Sequence, residues 1–87
     1  MITRQVKVIN ASGLHARPAT VFVKEASKYS CDISVSNGAD EKNAKSILHV
    51  LTLGAKCGTD IILKFDGADE EQAADALVGL VSSGLEE

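Results

Sequence analysis

The sequence reads Gly13-Leu14-His15-Ala16-Arg17-Pro18-Ala19 where a predicted strand gives way to a predicted helix. Pro18 favours the first turn of that helix, because its missing N–H would have no partner there and its φ already suits a helix. The first amides of a helix are unpaired and carry partial positive charge, so they bind anions. Since Pro18 cannot donate, we expect the amides of His15, Ala16 and Arg17 to face such an anion. The stretch therefore predicts an anion site beside an imidazole, with the planar guanidinium of Arg17 as a further donor.

Alternating apolar and polar side chains predict strands on both sides of this stretch. The alternation covers residues 2–9, 31–36 and 60–66, and it is typical of half-buried strands. Asn37-Gly38 predicts a hairpin turn, which leads into a short polar strand over residues 40–43. We therefore expect four strands.

Helical spacing of apolar residues predicts three helices. The first covers residues 16–28, with Ala19, Phe22, Val23 and Ala26 on one face. The second begins at Ser46 and ends at Gly54. The third begins at Asp69, whose side chain is expected to cap it while Gln72 reaches back; its apolar stripe consists of Ala73, Leu77, Leu80 and Val81. The order βαββαβα predicts an α+β fold of two layers, one antiparallel sheet with helices on one face.

Composition excludes several classes of protein. With 87 residues the chain predicts a single domain over residues 1–87, and a hydrophobic fraction of 45% excludes a disordered chain. No apolar run is long enough to span a membrane, and the start lacks the pattern of a signal peptide, so we expect a cytoplasmic protein. A net charge of −3 and the absence of Trp argue against nucleic-acid binding.

The two cysteines do not predict a metal site. Cys31 and Cys57 have no thioredoxin-type or zinc spacing, even when His15 and His49 are counted with them. We expect two reduced thiols that act as small apolar residues, and no bound metal.

The chain resembles the HPr family over its whole length. The resemblance is carried by the segment from Gly13 to Ala19 and, further along, by Lys45-Ser46-Ile47 and Leu53-Gly54. This family comprises the histidine-containing phosphocarriers of the phosphoenolpyruvate-dependent sugar phosphotransferase system (PTS). The resemblance implies an open-faced β-sandwich of four antiparallel strands and three helices. It also implies that His15 accepts a phosphoryl group on its δ nitrogen from phospho-enzyme I and passes it to enzyme IIA domains of sugar permeases. Such a protein is a carrier without a cofactor, not an autonomous enzyme.

The proposed chemistry is consistent with the residues themselves. Arg17 and the helix terminus both disfavour a second positive charge, so we expect His15 to be neutral and nucleophilic at pH 7. After phosphorylation the same two features face a dianion and stabilise it.

Ser46 has two interpretations. As the N-cap of the second helix it needs no further role. The resemblance implies regulatory phosphorylation by an ATP-dependent HPr kinase/phosphorylase, with a catabolite-control regulator as a further partner. A phosphoserine there would add nearly two negative charges at the rim of an apolar patch. We call this the α2 patch and define it as Ile47, Leu48 and Leu51.

Other residues are expected to contact partner proteins in a small interface, with the protein itself a monomer. Besides the α2 patch, they lie on the outer side of the first helix: Ala16, Thr20, Lys24 and Ser27. The family usually has glycine where this chain has His49, and methionines where it has Leu48 and Leu51. His49 could pair with a phosphoserine, add contact area or hinder a kinase, or it could simply be an exposed helix residue.

A second class of function stays open. A regulatory binding module on the same scaffold would use Ser46 rather than His15; Crh-like relatives follow that plan and lack the histidine, so His15 favours the carrier. A carrier of the nitrogen-related branch of the system is a third alternative, which the Ser46 segment disfavours.

Overall fold

The order of strands and helices confirms the prediction from the sequence. The computed structural model describes residues 1–85. Within them the elements run β1 (Ile2–Lys7), α1 (Ala16–Ala26), β2 (Asp32–Ser36), β3 (Glu41–Asn43), α2 (Ile47–Leu53), β4 (Asp60–Asp66) and α3 (Glu70–Ser82).

The four strands form one antiparallel sheet in the order β1-β4-β2-β3. In the central strand β4, Ile61, Leu63 and Phe65 are buried while Lys64 and Asp66 are exposed. The same alternation holds in β2, so one face of the sheet packs under the helices and the other meets solvent. This is the open-faced, two-layer α+β sandwich predicted above, with four strands and three helices.

Two predicted elements were too long by two residues each, and β2 and β3 each begin one residue later than predicted. β1 ends at Lys7 instead of residue 9, because Ile9 turns outward while Val8 remains bonded to the segment before β4. Helix α1 ends at Ala26 instead of Lys28. Beyond it, the amides of Lys28 and Tyr29 bond to carbonyls three residues back, which is the tighter geometry of a helix end.

The turn after β2 is longer than predicted. Asn37-Gly38 was predicted to form a hairpin turn before a strand at residues 40–43, but residues 37–40 separate the two strands. The side-chain oxygen of Asn37 accepts the amides of Ala39 and Asp40, both at 2.9 Å. Asparagine here closes a longer turn through its own side chain, as it commonly does.

The predicted capping box of α3 is wrong. Asp69 is the N-cap residue, but its side chain makes no capping hydrogen bond. Its carboxylate instead accepts the amide of Ser30 at 2.8 Å and that of Cys31 at 2.9 Å. Two amides from a distant loop satisfy both oxygens, so a tertiary contact replaces the local cap.

The cysteines differ from each other. Cys31 is buried, as expected of a small apolar residue, whereas Cys57 is exposed, so the same expectation is wrong for Cys57. Within residues 1–85, no His, Cys, Asp or Glu residues come together in a group of three that could hold a metal. Over the same residues, no helix combines the length and the apolar character needed to cross a membrane.

Candidate functional site

A tight turn positions the start of α1. Asn10 is buried, and its side-chain nitrogen donates to the carbonyl of Gly13 at 2.8 Å. The amide of Gly13 donates back to the carbonyl of Asn10 at 3.1 Å. The buried Leu14 then donates its amide to the carbonyl of Ala55 at 2.8 Å. The loop that precedes α1 is therefore held against the segment that follows α2.

His15 is the N-cap residue of α1 and is exposed. Its backbone is extended (φ −109°, ψ −176°), and its carbonyl accepts the amide of Ala19 at 2.8 Å, which opens the helix. The imidazole makes no capping hydrogen bond. The ring therefore stands at the opening of the helix while the backbone alone begins the helical hydrogen bonding.

The first turn of α1 can receive an anion. Ala16 and Arg17 are its first two residues and both are exposed, while the buried Pro18 is the third, within the first turn as predicted. First-turn amides have no partner within a helix, and Pro18 has none to offer, so those of Ala16 and Arg17 remain for a ligand. Among the described residues, no acidic side chain stands in this turn to oppose an anion.

The outer side of α1 carries the remaining predicted contact residues. Thr20, Lys24 and Ser27 are all exposed and follow Ala16 at spacings of three or four residues, which places them on one side of the helix. The hydroxyl of Thr20 donates to the carbonyl of Ala16 at 2.9 Å. Lys24 lies in the last turn, and Ser27 is the C-cap residue.

Ser46 is the N-cap residue of α2, as predicted. Its hydroxyl oxygen accepts the amide of His49 at 3.4 Å, and its carbonyl accepts that of Val50 at 3.0 Å. The preceding Lys45 donates from Nζ to the carbonyl of Tyr29 at 2.6 Å. This bond ties the entry to α2 to the loop after α1.

The α2 patch is apolar and open to solvent. Leu48 is 66% exposed, Ile47 39% and Leu51 37%, whereas Val50 and Leu53 on the opposite side of α2 are buried. Because Leu14 is bonded to Ala55, just beyond this helix, the loop that leads to His15 lies against the segment that follows the α2 patch.

Sequence reasoning missed two residues that build this site, Asn10 and Ala55. No motif in the sequence singled out either residue. An asparagine three residues before a glycine is a signal for the turn, but no local signal connects Gly13 with Ala55.

Comparisons with known proteins show which proteins this chain is similar to. The family model described as "PTS HPr component phosphorylation site" matches residues 2–83. The phosphocarrier protein HPr of Haemophilus influenzae is 42% identical, over 93% of this chain and 95% of its own length. The HPr-like protein Crh of Halalkalibacterium halodurans is 37% identical, over 93% and 96%.

Solved structures show the same fold. HPr-C-His from Thermoanaerobacter tengcongensis is 42% identical and aligns over 100% of this chain and 98% of its own, with a TM-score of 0.96. A structure of an HPr dimer from the same organism aligns over 100% of both chains with a TM-score of 0.79. The chain belongs to the PTS HPr family of phosphocarrier proteins.

Proposed function

We propose that this protein receives a phosphoryl group on His15 from phospho-enzyme I and passes it to enzyme IIA domains of sugar permeases. The observation that carries this proposal is the exposed imidazole at the N-cap of α1, with Arg17 two residues further along. The protein acts as a carrier between other proteins and needs no cofactor of its own.

The transfer itself requires little more than alignment and charge stabilisation. The δ nitrogen of His15 forms a bond to phosphorus while the bond between phosphorus and the donor breaks, and the donor retains the electron pair of that bond. Arg17 and the open amides of the first turn attract a phosphate dianion. These groups therefore favour the phosphorylated product.

Labelling with phosphoenolpyruvate and enzyme I tests the acceptor. The wild-type protein should gain one acid-labile phosphate, and His15→Ala should gain none. His49→Ala is the matched control, because it removes the second histidine of the chain from an exposed position on α2. Labelling of His15→Ala would refute the assignment.

We also propose that Ser46 is phosphorylated by an HPr kinase/phosphorylase, and that the modified protein binds a catabolite-control regulator. Its position at the start of α2 supports this, since a phosphoserine there meets the helix amides and changes the charge beside the α2 patch. With kinase and ATP, the wild-type protein should gain an acid-stable phosphate that Ser46→Ala lacks. Ser82→Ala, which changes an exposed serine in α3, should be labelled normally. Absence of labelling in the wild-type protein would leave Ser46 with the cap role alone.

A regulatory binding module is the second candidate function, and the 37% identity to an HPr-like protein Crh favours it. Such a module would act through Ser46 and protein contacts, independently of His15. A carrier of the nitrogen-related branch is a variant of the first proposal. Labelling of the wild-type protein by enzyme I separates the carrier from the module, because the module requires no acid-labile phosphate.

Partner proteins are proposed to contact the α2 patch and the outer side of α1 at Ala16, Thr20, Lys24 and Ser27. A cytoplasmic monomer over residues 1–87 is part of the same proposal. Since an HPr of Thermoanaerobacter tengcongensis has been solved as a dimer, the monomer is tested by light scattering across a range of protein concentrations. A mass that doubles with concentration would contradict it.

A further inference from the structure

Ile9 is an exposed apolar side chain on a firmly held loop. It is 52% exposed, although its neighbours Val8 and Asn10 are both buried. Val8 donates its amide to Thr59 at 2.9 Å and accepts that of Gly58 at 2.7 Å. The backbone on either side is thus fixed, and it directs the Ile9 side chain outward.

The loop brings Ile9 back beside the start of α1. The hydrogen bond between Gly13 and Asn10 closes a turn, and such a turn brings the two Cα atoms within about 7 Å of each other. Ile9 and Leu14 therefore flank the same turn. Both are attached to one segment, Leu14 through its amide to Ala55 and Ile9 through its carbonyl, which accepts from the Cys57 thiol at 3.6 Å.

The segment after α2 connects the α2 patch with Ile9. Following the chain from Leu51 in the α2 patch, it first reaches Ala55, where Leu14 is bonded, and then Cys57, where Ile9 is bonded. His15 follows Leu14 directly. The hydrogen bond between Leu14 and Ala55, which holds the loop that leads to His15, therefore lies between the α2 patch and Ile9 along this segment.

We infer that Ile9 is a docking residue for the proteins that exchange phosphoryl groups with His15, an inference that rests on the proposed function. A standard interface covers about 800 Å² on each partner, which corresponds to a disc of about 16 Å radius. On this inference, a partner contact of that size centred on His15 extends across the turn to Ile9, six residues earlier in the chain, and to the α2 patch. The side chain that meets Ile9 on the partner is apolar.

The exposed Ile9 side chain contributes more to partner binding than to the stability of the fold. A side chain that meets water in the free protein contributes little to the core, so a polar residue would serve the loop equally well. Burial of its methyl and methylene groups by a partner removes apolar area from water and stabilises the complex. A loss of this contact should weaken binding without changing the phosphoryl transfer step.

The test replaces Ile9 with threonine, which keeps the branched β carbon and removes apolar surface. Ile62→Thr is the matched control, because Ile62 is half-buried in β4 on the face of the sheet that is open to solvent. For transfer from phospho-enzyme I to the carrier, and from the carrier to an enzyme IIA domain, Ile9→Thr should raise KM about 5- to 10-fold with kcat unchanged. Ile62→Thr should leave both KM values within about 2-fold of the wild type.

Calorimetric titration of the unphosphorylated carrier with enzyme I provides a readout that is independent of transfer. The Kd should rise by the same factor for Ile9→Thr and stay unchanged for Ile62→Thr. Equal KM and Kd values for Ile9→Thr and the wild type would overturn the docking role, while normal labelling of His15 would leave the proposed function intact. A wild-type protein that enzyme I cannot label would overturn both.

Discussion

Gly13 packs against the carbonyl oxygen of Ala55 so closely that no side chain could be accommodated. A Cβ on Gly13 would overlap that oxygen and stand 2.8 Å from the Cα of Lys56. The backbone of Gly13 is also left-handed, with φ at +65°. This junction sets the residues before His15 against the segment after α2, so it supports the candidate site directly.

Gly13→Ala should therefore lower the free energy of unfolding by about 2 to 4 kcal/mol, because strain at positive φ adds to a backbone collision. Gly38→Ala is the control, since Gly38 has φ at +97° but a Cβ added there would meet nothing within 4 Å. It should cost only the conformational strain, about 1 kcal/mol. Urea unfolding measures both values, and equal losses would show that the contact with Ala55 is unimportant.

Gly79→Ala should have the opposite effect. Gly79 lies in the interior of α3, and a Cβ there would meet nothing within 4 Å. Alanine should raise the free energy of unfolding by about 0.5 to 1 kcal/mol, because glycine is a poor helix former. Gly58→Ala also adds a methyl group in open space but at φ of +92°, so it should destabilise. Calorimetric Tm values should move in opposite directions for the two variants.

Asp69 should contribute to stability in a pH-dependent way. The amide of Ser30 is the main cause that lowers the pKa of this carboxyl below its ordinary value of 3.8, and hydrogen bonds from Cys31 add to it. A carboxyl group whose pKa is lowered in the folded state stabilises the protein at pH values above its pKa in the unfolded state. This contribution is lost as the pH falls through its pKa in the folded state.

Asp69→Asn should accordingly be less stable than the wild type from about pH 5 to 7, and the difference should shrink as the pH falls below about 3.9. Urea unfolding at a series of pH values measures this difference. A difference in the free energy of unfolding that stays constant at pH values below about 3.9 would contradict the ionic character of the contact.

The two thiols should react at very different rates. Burial raises the pKa of the Cys31 thiol above its ordinary value of 9.0, and the neighbouring Asp69 raises it further, whereas Cys57 is exposed. Since the thiolate is the reactive form, an alkylating reagent near pH 7.5 should modify one thiol of the native protein and two after denaturation. The second reaction should be at least about 100-fold slower in the native state, because it requires local opening.

Peptide mapping after brief alkylation identifies the modified residue. Cys57→Ser should abolish the fast reaction, and Cys31→Ser should leave it unchanged. A fast reaction at Cys31 would contradict the burial of its side chain.

Local patterns in the chain were enough to predict the order of its elements and the place of His15, Arg17 and Pro18 at the start of α1. Alternation predicted β4 with the observed ends, because each of its side chains faces either the core or water. His15, Arg17 and Pro18 lie at the start of α1 because proline restricts the backbone at its own position. These properties depend on near neighbours in the sequence, which is why the sequence alone determined them.

Tertiary structure decided what distant residues do to one another. The Asp69 side chain accepts the amides of Ser30 and Cys31 instead of capping its own helix. Ile9 points outward because the neighbouring Val8 is hydrogen-bonded to the segment before β4. Gly13 and Ala55, which are in contact, lie 42 positions apart in the sequence. No periodicity records such contacts, because each depends on how complete elements pack and on which polar groups that packing leaves to be satisfied.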